Sequence, residues 1–256
     1  MFFRMHGQWK FLSALAAIVC AGCGGLPREP APWLPSDTRQ LLTVVSPGWE
    51  ATTAELTRYE RRDQTWIQVG SRIPVQVGRS GMGWGRGIAA DVRAGDPLKK
   101  EGDGRAPAGA FRLSAAFGYA FPDQAAAAGA GLPYMQATPE LECVDDAGSV
   151  HYNRLVRRSG VPIPDWNSSE QMLRQDGQYR WGVVVAHNSD PPVPGAGSCI
   201  FLHIWEGPSA ATSGCTAMAE ADMRQLFAWL DDAAKPLLVQ LPDLEYQRLR
   251  EAWRLP

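Results

Sequence analysis

The sequence predicts a single, mainly β domain with flanking helices, carried behind an export signal and an extended tether. Short runs of β-branched and aromatic residues recur between Gly, Pro and Asn punctuation, which is the pattern of strands. One helical period, at Met223, Leu226, Phe227 and Leu230, appears late in the chain. From Leu41 to Pro256 there is enough chain for one sizeable hydrophobic core.

The chain opens with Arg4 and Lys10, a twelve-residue apolar stretch from Phe11 to Gly22, and then Cys23, Gly24 and Gly25. A relaxed membrane span needs roughly 20 apolar residues, so residues 1–22 read as an export signal and not as a membrane helix. Ala21-Gly22-Cys23 is similar to the end of a bacterial lipobox, in which the cysteine thiol carries a diacylglycerol. Cys20 stands where an aliphatic residue is usual, and the alternative is ordinary cleavage nearby with Cys23 unmodified. Gly24 in place of an aspartate favours the outer membrane for such an anchor. Pro27, Pro30, Pro32 and Pro35, interspersed with Arg28, Glu29 and Ser36, predict a flexible tether over residues 23–40.

Within residues 41–256, strands are expected at Leu41–Ser46, Thr52–Tyr59, Thr65–Val69, Pro74–Val77 and Tyr179–Ala186, in an antiparallel sheet system. Six further glycines lie between Gly81 and Gly109, with Pro97 and Pro107, and predict an irregular surface loop. Ser198–Trp205 is apolar enough for a strand buried on both faces, with His203 near its C-terminal end. The late helical period places an amphipathic helix at Glu220–Leu230. A strand at Leu237–Leu241 and a helix from Pro242 to Trp253 close the domain.

The formal net charge is -2, and removal of residues 1–22 takes away two cations and no acid, leaving -4. This mild acidity, with no long Lys/Arg run, argues against nucleic acid as a partner. Four histidines, of which His6 lies in the signal, show neither H-E-x-x-H nor Cys-x-x-Cys spacing, so no metal or cofactor is expected.

Three cysteines fall in the domain: Cys143, Cys199 and Cys215. Cys215 lies in Ala211-Thr212-Ser213-Gly214-Cys215-Thr216, between the His203 strand and the helix at Glu220. A preceding glycine gives the backbone freedom to aim the N–H groups of Gly214 and Cys215 at a developing oxyanion. A helix N-terminus and a nearby imidazole would both favour the thiolate, and His203 is the natural imidazole. The alternative is a buried structural cysteine beside a core histidine.

The segment from Lys100 to Phe111, K-E-G-D-G-R-A-P-A-G-A-F, resembles the K-x-G-D-G-x-T-P-x-G-x-Y/F signature of YkuD-like L,D-transpeptidases, with Ala106 for the threonine. His203 matches that family's upstream histidine, Thr212 its Ser/Thr, Gly214 its glycine and Cys215 its nucleophile. The resemblance spans most of residues 90–241. Ser213 departs from the family histidine, and the twelve residues from His203 to Cys215 are fewer than usual.

The resemblance implies a β-sandwich-type catalytic domain and a cysteine acyltransferase acting on peptidoglycan stem peptides. Cys215 would be the nucleophile, His203 the base, and Gly214 with Cys215 the oxyanion hole. Thr212, Ser213, His187 and Trp205 are candidate substrate contacts. For His187 and Trp205, packing positions are the alternative. With water as acceptor the same pair would make a carboxypeptidase, and an inert Cys215 would leave a wall-binding lipoprotein. Asp145, Asp146, Tyr152 and Asn153 form a polar cluster read either as a binding element or as a solvated turn. An oxidising envelope would permit a Cys143–Cys199 disulfide, leaving Cys215 as the free thiol of the domain.

Overall fold

The computed structural model describes residues 1–2 and 34–256; the rest of the segment read as an export signal, Cys23 and the first part of the expected tether lie outside the described residues. Residues from Pro32 to Pro256 form one compact unit. Its strands are β1 (Gln40–Ser46), β2 (Thr53–Arg62), β3 (Thr65–Gln76), β4 (Met82–Trp84), β5 (Ala106–Gly118), β6 (Tyr134–Gln136), β7 (Leu141–Val144), β8 (Leu155–Arg157), β9 (Ser169–Gln171), β10 (Trp181–Val185), β11 (Phe201–Ile204), β12 (Thr216–Met218) and β13 (Leu237–Pro242). Its α-helices are α1 (Pro122–Ala127), α2 (Glu220–Trp229) and α3 (Asp243–Leu249).

The fold is mainly β with few helices, as the strand rhythm of the sequence predicts. Pairing runs β10-β11-β12-β3-β2-β1-β13-β5, and β5 then pairs with β10. β5 makes this closure possible. Residues 109–112 pair with β13 and residues 113–118 with β10, so one strand passes from one side of the core to the other, as strands do at sandwich corners. The arrangement is mixed and not purely antiparallel: β1 with β13, and β11 with β12, run parallel. Each of those pairs is joined through intervening chain, as parallel neighbours require.

Several boundaries differ from the sequence reading. The two short strands expected at Thr65–Val69 and Pro74–Val77 are one strand, β3, whose pairing with β2 shifts register between Leu56 and Arg58. The expected loop from Gly81 to Gly109 contains the fully buried β4 and the start of β5. The tether gives way to folded chain before residue 41. Leu34 and Thr38 are buried, Arg39 N–H donates to Ala234 O at 2.7 Å, and Gln40 Nε2 donates to Trp229 O at 2.7 Å.

Two hydrophobic clusters result. The larger joins β1, β5 and β13 to α2, whose Met223, Leu226 and Phe227 face inward. The smaller contains Phe117, Leu141, Cys143, Met172, Tyr179, Cys199, Phe201 and Cys215. A separate sheet of order β8-β7-β9 contributes to this second cluster, and the functional residues gather there.

Candidate active site

His203 sits on β11, next to the parallel β12 and in register with Ala217. Cys215 immediately precedes β12. Parallel neighbours lie about 4.8 Å apart, so this pairing brings the Cys215 loop alongside the His203 strand. The contacts bear this out. Phe201 N–H donates to Cys215 Sγ at 3.3 Å, and the thiol donates to Cys199 O at 3.6 Å. Tyr179 packs edge-on against both Phe201 and His203, with ring centroids 5.6 and 5.2 Å away. Cys215 and His203 line one cavity of about 590 Å³.

His203 Nδ1 lies 2.7 Å from Ile204 O. A carbonyl oxygen can only accept, so Nδ1 carries the proton and Nε2 is the basic nitrogen of the neutral ring. Burial pulls the imidazole down to about 4, and burial, reinforced by the charge of Glu170, pushes the Cys215 thiol up to about 12. At neutral pH Cys215 is therefore a thiol and His203 a neutral imidazole, both in the wall of the same cavity. The helix contribution expected for a thiolate is not available, because β12 stands between Cys215 and the first residue of α2, Glu220. The field of a helix end fades within its first turn.

The turn that carries Cys215 is built by Thr212. Its hydroxyl donates to Cys215 O at 2.6 Å and accepts from Gly214 N–H at 3.1 Å. Gly214 has φ +147°, and a Cβ there would lie 2.9 Å from Arg105 O, so the position admits glycine on both conformational and steric grounds. Its N–H, assigned to the oxyanion hole from sequence, is already engaged by Thr212 and would serve an oxyanion by sharing. Ser213 Oγ accepts from Arg79 Nη1 at 2.8 Å. Trp205, half-buried, lines the cavity.

Cys143 and Cys199 are joined in a disulfide, and Cys215 is the free cysteine among the described residues. The bridge ties β7 to the turn whose carbonyl meets the thiol. Asn153 holds the same turn from the side. Its Oδ1 accepts from Cys199 N–H at 2.9 Å, while Nδ2 donates to His187 O at 2.8 Å and Asn188 O at 2.6 Å. Asn153 and Tyr152 are therefore scaffolding: the Tyr152 hydroxyl donates to Glu101 at 2.5 Å and accepts from Gly197 N–H at 3.1 Å. Asp146 accepts from Gly148 N–H and Asn167 N–H in a local turn. Of that polar cluster, Asp145 reaches the cavity.

His187 is not a substrate contact in this structure. It is buried, accepts from Arg86 N–H through Nδ1 at 3.2 Å, donates through Nε2 to Ala196 O at 3.1 Å, and packs edge-on against Phe111. Both ring nitrogens are used, and burial pulls its pKa to about 4. A strand-end histidine lining a pocket and one closing a turn look alike in sequence.

Sequence reasoning missed most of the charged cavity wall. Lys99, whose side chain is 3% exposed, pairs with Asp103 at 2.5 Å, both lying in or beside the glycine-rich signature. Glu101 accepts from Tyr152 and from Ser198 Oγ, the latter at 2.7 Å. Glu170, on β9, accepts from the Tyr179 hydroxyl and lies 3.5 Å from Arg174; burial raises its pKa. These residues come from segments far apart in sequence, so no local spacing marks them. Among the described residues, no group of three or more His, Cys, Asp or Glu is placed to hold a metal ion.

Comparison with protein-family models matches residues 51–239 to YkuD, the L,D-transpeptidase catalytic domain. Comparisons with curated proteins and with solved structures return no match.

Proposed function

Because the chain belongs to the YkuD family, which is defined by the L,D-transpeptidase catalytic domain, we propose that it is a peptidoglycan L,D-transpeptidase working through a thioester on Cys215. The observation that carries this reading is that Cys215, just before β12, and His203, on the neighbouring β11, line the wall of one cavity.

The chemistry follows from the neutral resting pair. As Cys215 Sγ attacks the peptide carbonyl preceding the terminal D-alanine of a stem tetrapeptide, its proton passes to His203 Nε2. The Ile204 carbonyl, on the opposite ring nitrogen, orients the imidazole and stabilises its charge. Negative charge growing on the carbonyl oxygen is met by the N–H groups of Gly214 and Cys215. Collapse breaks the C–N bond, the leaving amine takes the proton from Nε2, and D-alanine departs. An acceptor amine then attacks the thioester, forms the new amide and returns the thiol.

By the same reading, the export signal and a lipid on Cys23 place the domain at the peptidoglycan, facing the periplasm. Labelled fatty-acid incorporation that disappears in Cys23→Ala tests the anchor. For the activity, purified stem tetrapeptides are incubated with the protein and the products separated by mass. A cross-linked dimer supports transpeptidation. Free D-alanine without dimer makes the protein a carboxypeptidase, and unchanged peptides would leave the non-catalytic reading.

A further inference from the structure

Three cations line the cavity: Arg79, Lys99 and Arg174. Two are neutralised within the protein, Lys99 by Asp103 at 2.5 Å and Arg174 by Asp176 and Glu170. Arg79 has no carboxylate within ion-pair distance among the described residues; its recorded side-chain partner is the neutral hydroxyl of Ser213.

Arg79 is also deliberately placed. Its N–H donates to Thr212 O at 2.7 Å, and Thr212 N–H in turn donates to Val77 O at 2.9 Å, so its backbone is tied to the nucleophile's own loop. Its side chain runs over Gly104, where a Cβ would come within 3.0 Å of Arg79 Cγ and Nε. A glycine of the K-x-G-D-G segment thus leaves the room through which the guanidinium reaches Ser213. Ser213 is two residues before Cys215, a chain distance of at most about 7 Å. Serine at that position is short enough to leave space for the arginine and offers it an acceptor.

We propose that Arg79, seated on Ser213, is a specificity-determining residue that binds the free α-carboxylate of the acyl donor's terminal residue. In a D-alanine-terminated donor this carboxylate is three bonds from the scissile carbonyl carbon, and Arg79 and Cys215 line the same cavity. An arginine fork matches a carboxylate in a bidentate pair. Of the other acids of the wall, Glu101 accepts from Tyr152 and Ser198, Glu170 from Tyr179, and Asp145 from Ser168; Glu206 also lines the cavity and is exposed, and it makes no ion pair with Arg79. The inference rests on the acyl-transfer reading above.

The test uses the full chain in detergent and two stem tetrapeptides, one ending in a free carboxylate and one in the C-terminal amide, with acylation of Cys215 followed by intact mass. For the wild type, the amide should require about tenfold more peptide for half-maximal rate, with the limiting rate little changed. Arg79→Ala should raise the requirement for the free acid by a similar factor and leave the amide unaffected, and Arg79→Lys should recover part of the loss. Equal half-saturation for the two peptides on wild type, a comparison that needs no variant to fold, would overturn the assignment while acylation itself upheld the thioester reading. No acylation by either peptide would remove both together.

Discussion

His203 illustrates how one backbone contact sets chemistry. Its Nδ1–H is committed to Ile204 O, so Nε2 is the one nitrogen able to take the thiol proton. His203→Gln should keep the fold and lower the acylation rate by about 10² to 10⁴, the usual contribution of a general base. Single-turnover kinetics checks this, and a loss under threefold would remove His203 from the mechanism. Gly214 makes a conformational prediction. Gly214→Ala places a methyl group against Arg105 O at φ +147°, and should cost about 1–3 kcal/mol together with most of the activity, measured by urea unfolding and acylation. At this scale Cys215 and Gly214 stood out as candidates through their short motif, and His203 through its place near the end of an apolar strand. Arg79, in the connection from β3 to β4, and Glu170, on β9, did not, since they lie 136 and 45 residues away from Cys215. Of the two readings open for His187, the structure takes the packing one, because its environment, and not its flanking sequence, commits both ring nitrogens to backbone groups.

Among the elements, the β8-β7-β9 sheet has the least support from main-chain pairing, as its strands are three or four residues long and join no strand of the large sheet. The Cys143–Cys199 bridge links it to β11's approach and spans 56 residues. A loop of that size corresponds to about 4 kcal/mol of lost unfolded-state entropy. The double variant Cys143→Ala, Cys199→Ala should therefore lower stability by about 2–4 kcal/mol in denaturant unfolding, and slow acylation because Cys199 O receives the Cys215 thiol. Unchanged stability and rate would make the bridge incidental. Strands with β-branched alternation, such as β1 and β13, were legible within a residue or two. β5 was not. Its alanines and glycines carry little strand propensity, yet the strand is needed where backbones approach closely: a Cβ on Gly118 would lie 2.5 Å from Arg180 O. The helix at Met223, Leu226 and Phe227 was legible from its apolar face alone.

Across the whole molecule, two histidines are buried in the neutral state, and this governs response to acid. His187 and His203 each titrate near 4 when folded, against an ordinary 6.5. Depressed folded values mean that the unfolded chain binds protons first, so the stability these residues contribute is fully present above about 6.5 and is lost as pH falls through 4. Shifts of that size correspond to a few kcal/mol each. Thermal midpoints should fall steeply between pH 6.5 and 4, and a profile flat over that window would contradict the neutral pair. Above neutrality, the Cys215 thiol titrating near 12 predicts that alkylation by iodoacetamide keeps accelerating well past pH 9, in contrast to a thiolate-imidazolium pair. The single mainly β domain was legible from length and strand rhythm, whereas its closure through β5 was not, because pairing partners far apart in sequence leave no periodic trace. The central claim, that Cys215 is the acylated nucleophile, is tested most directly by the intact mass of wild type and Cys215→Ala after incubation with a disaccharide tetrapeptide. The account predicts a covalent adduct on the wild type, equal to the peptide less D-alanine, and none on the variant. No adduct on folded wild type, or the same adduct on both, would contradict it.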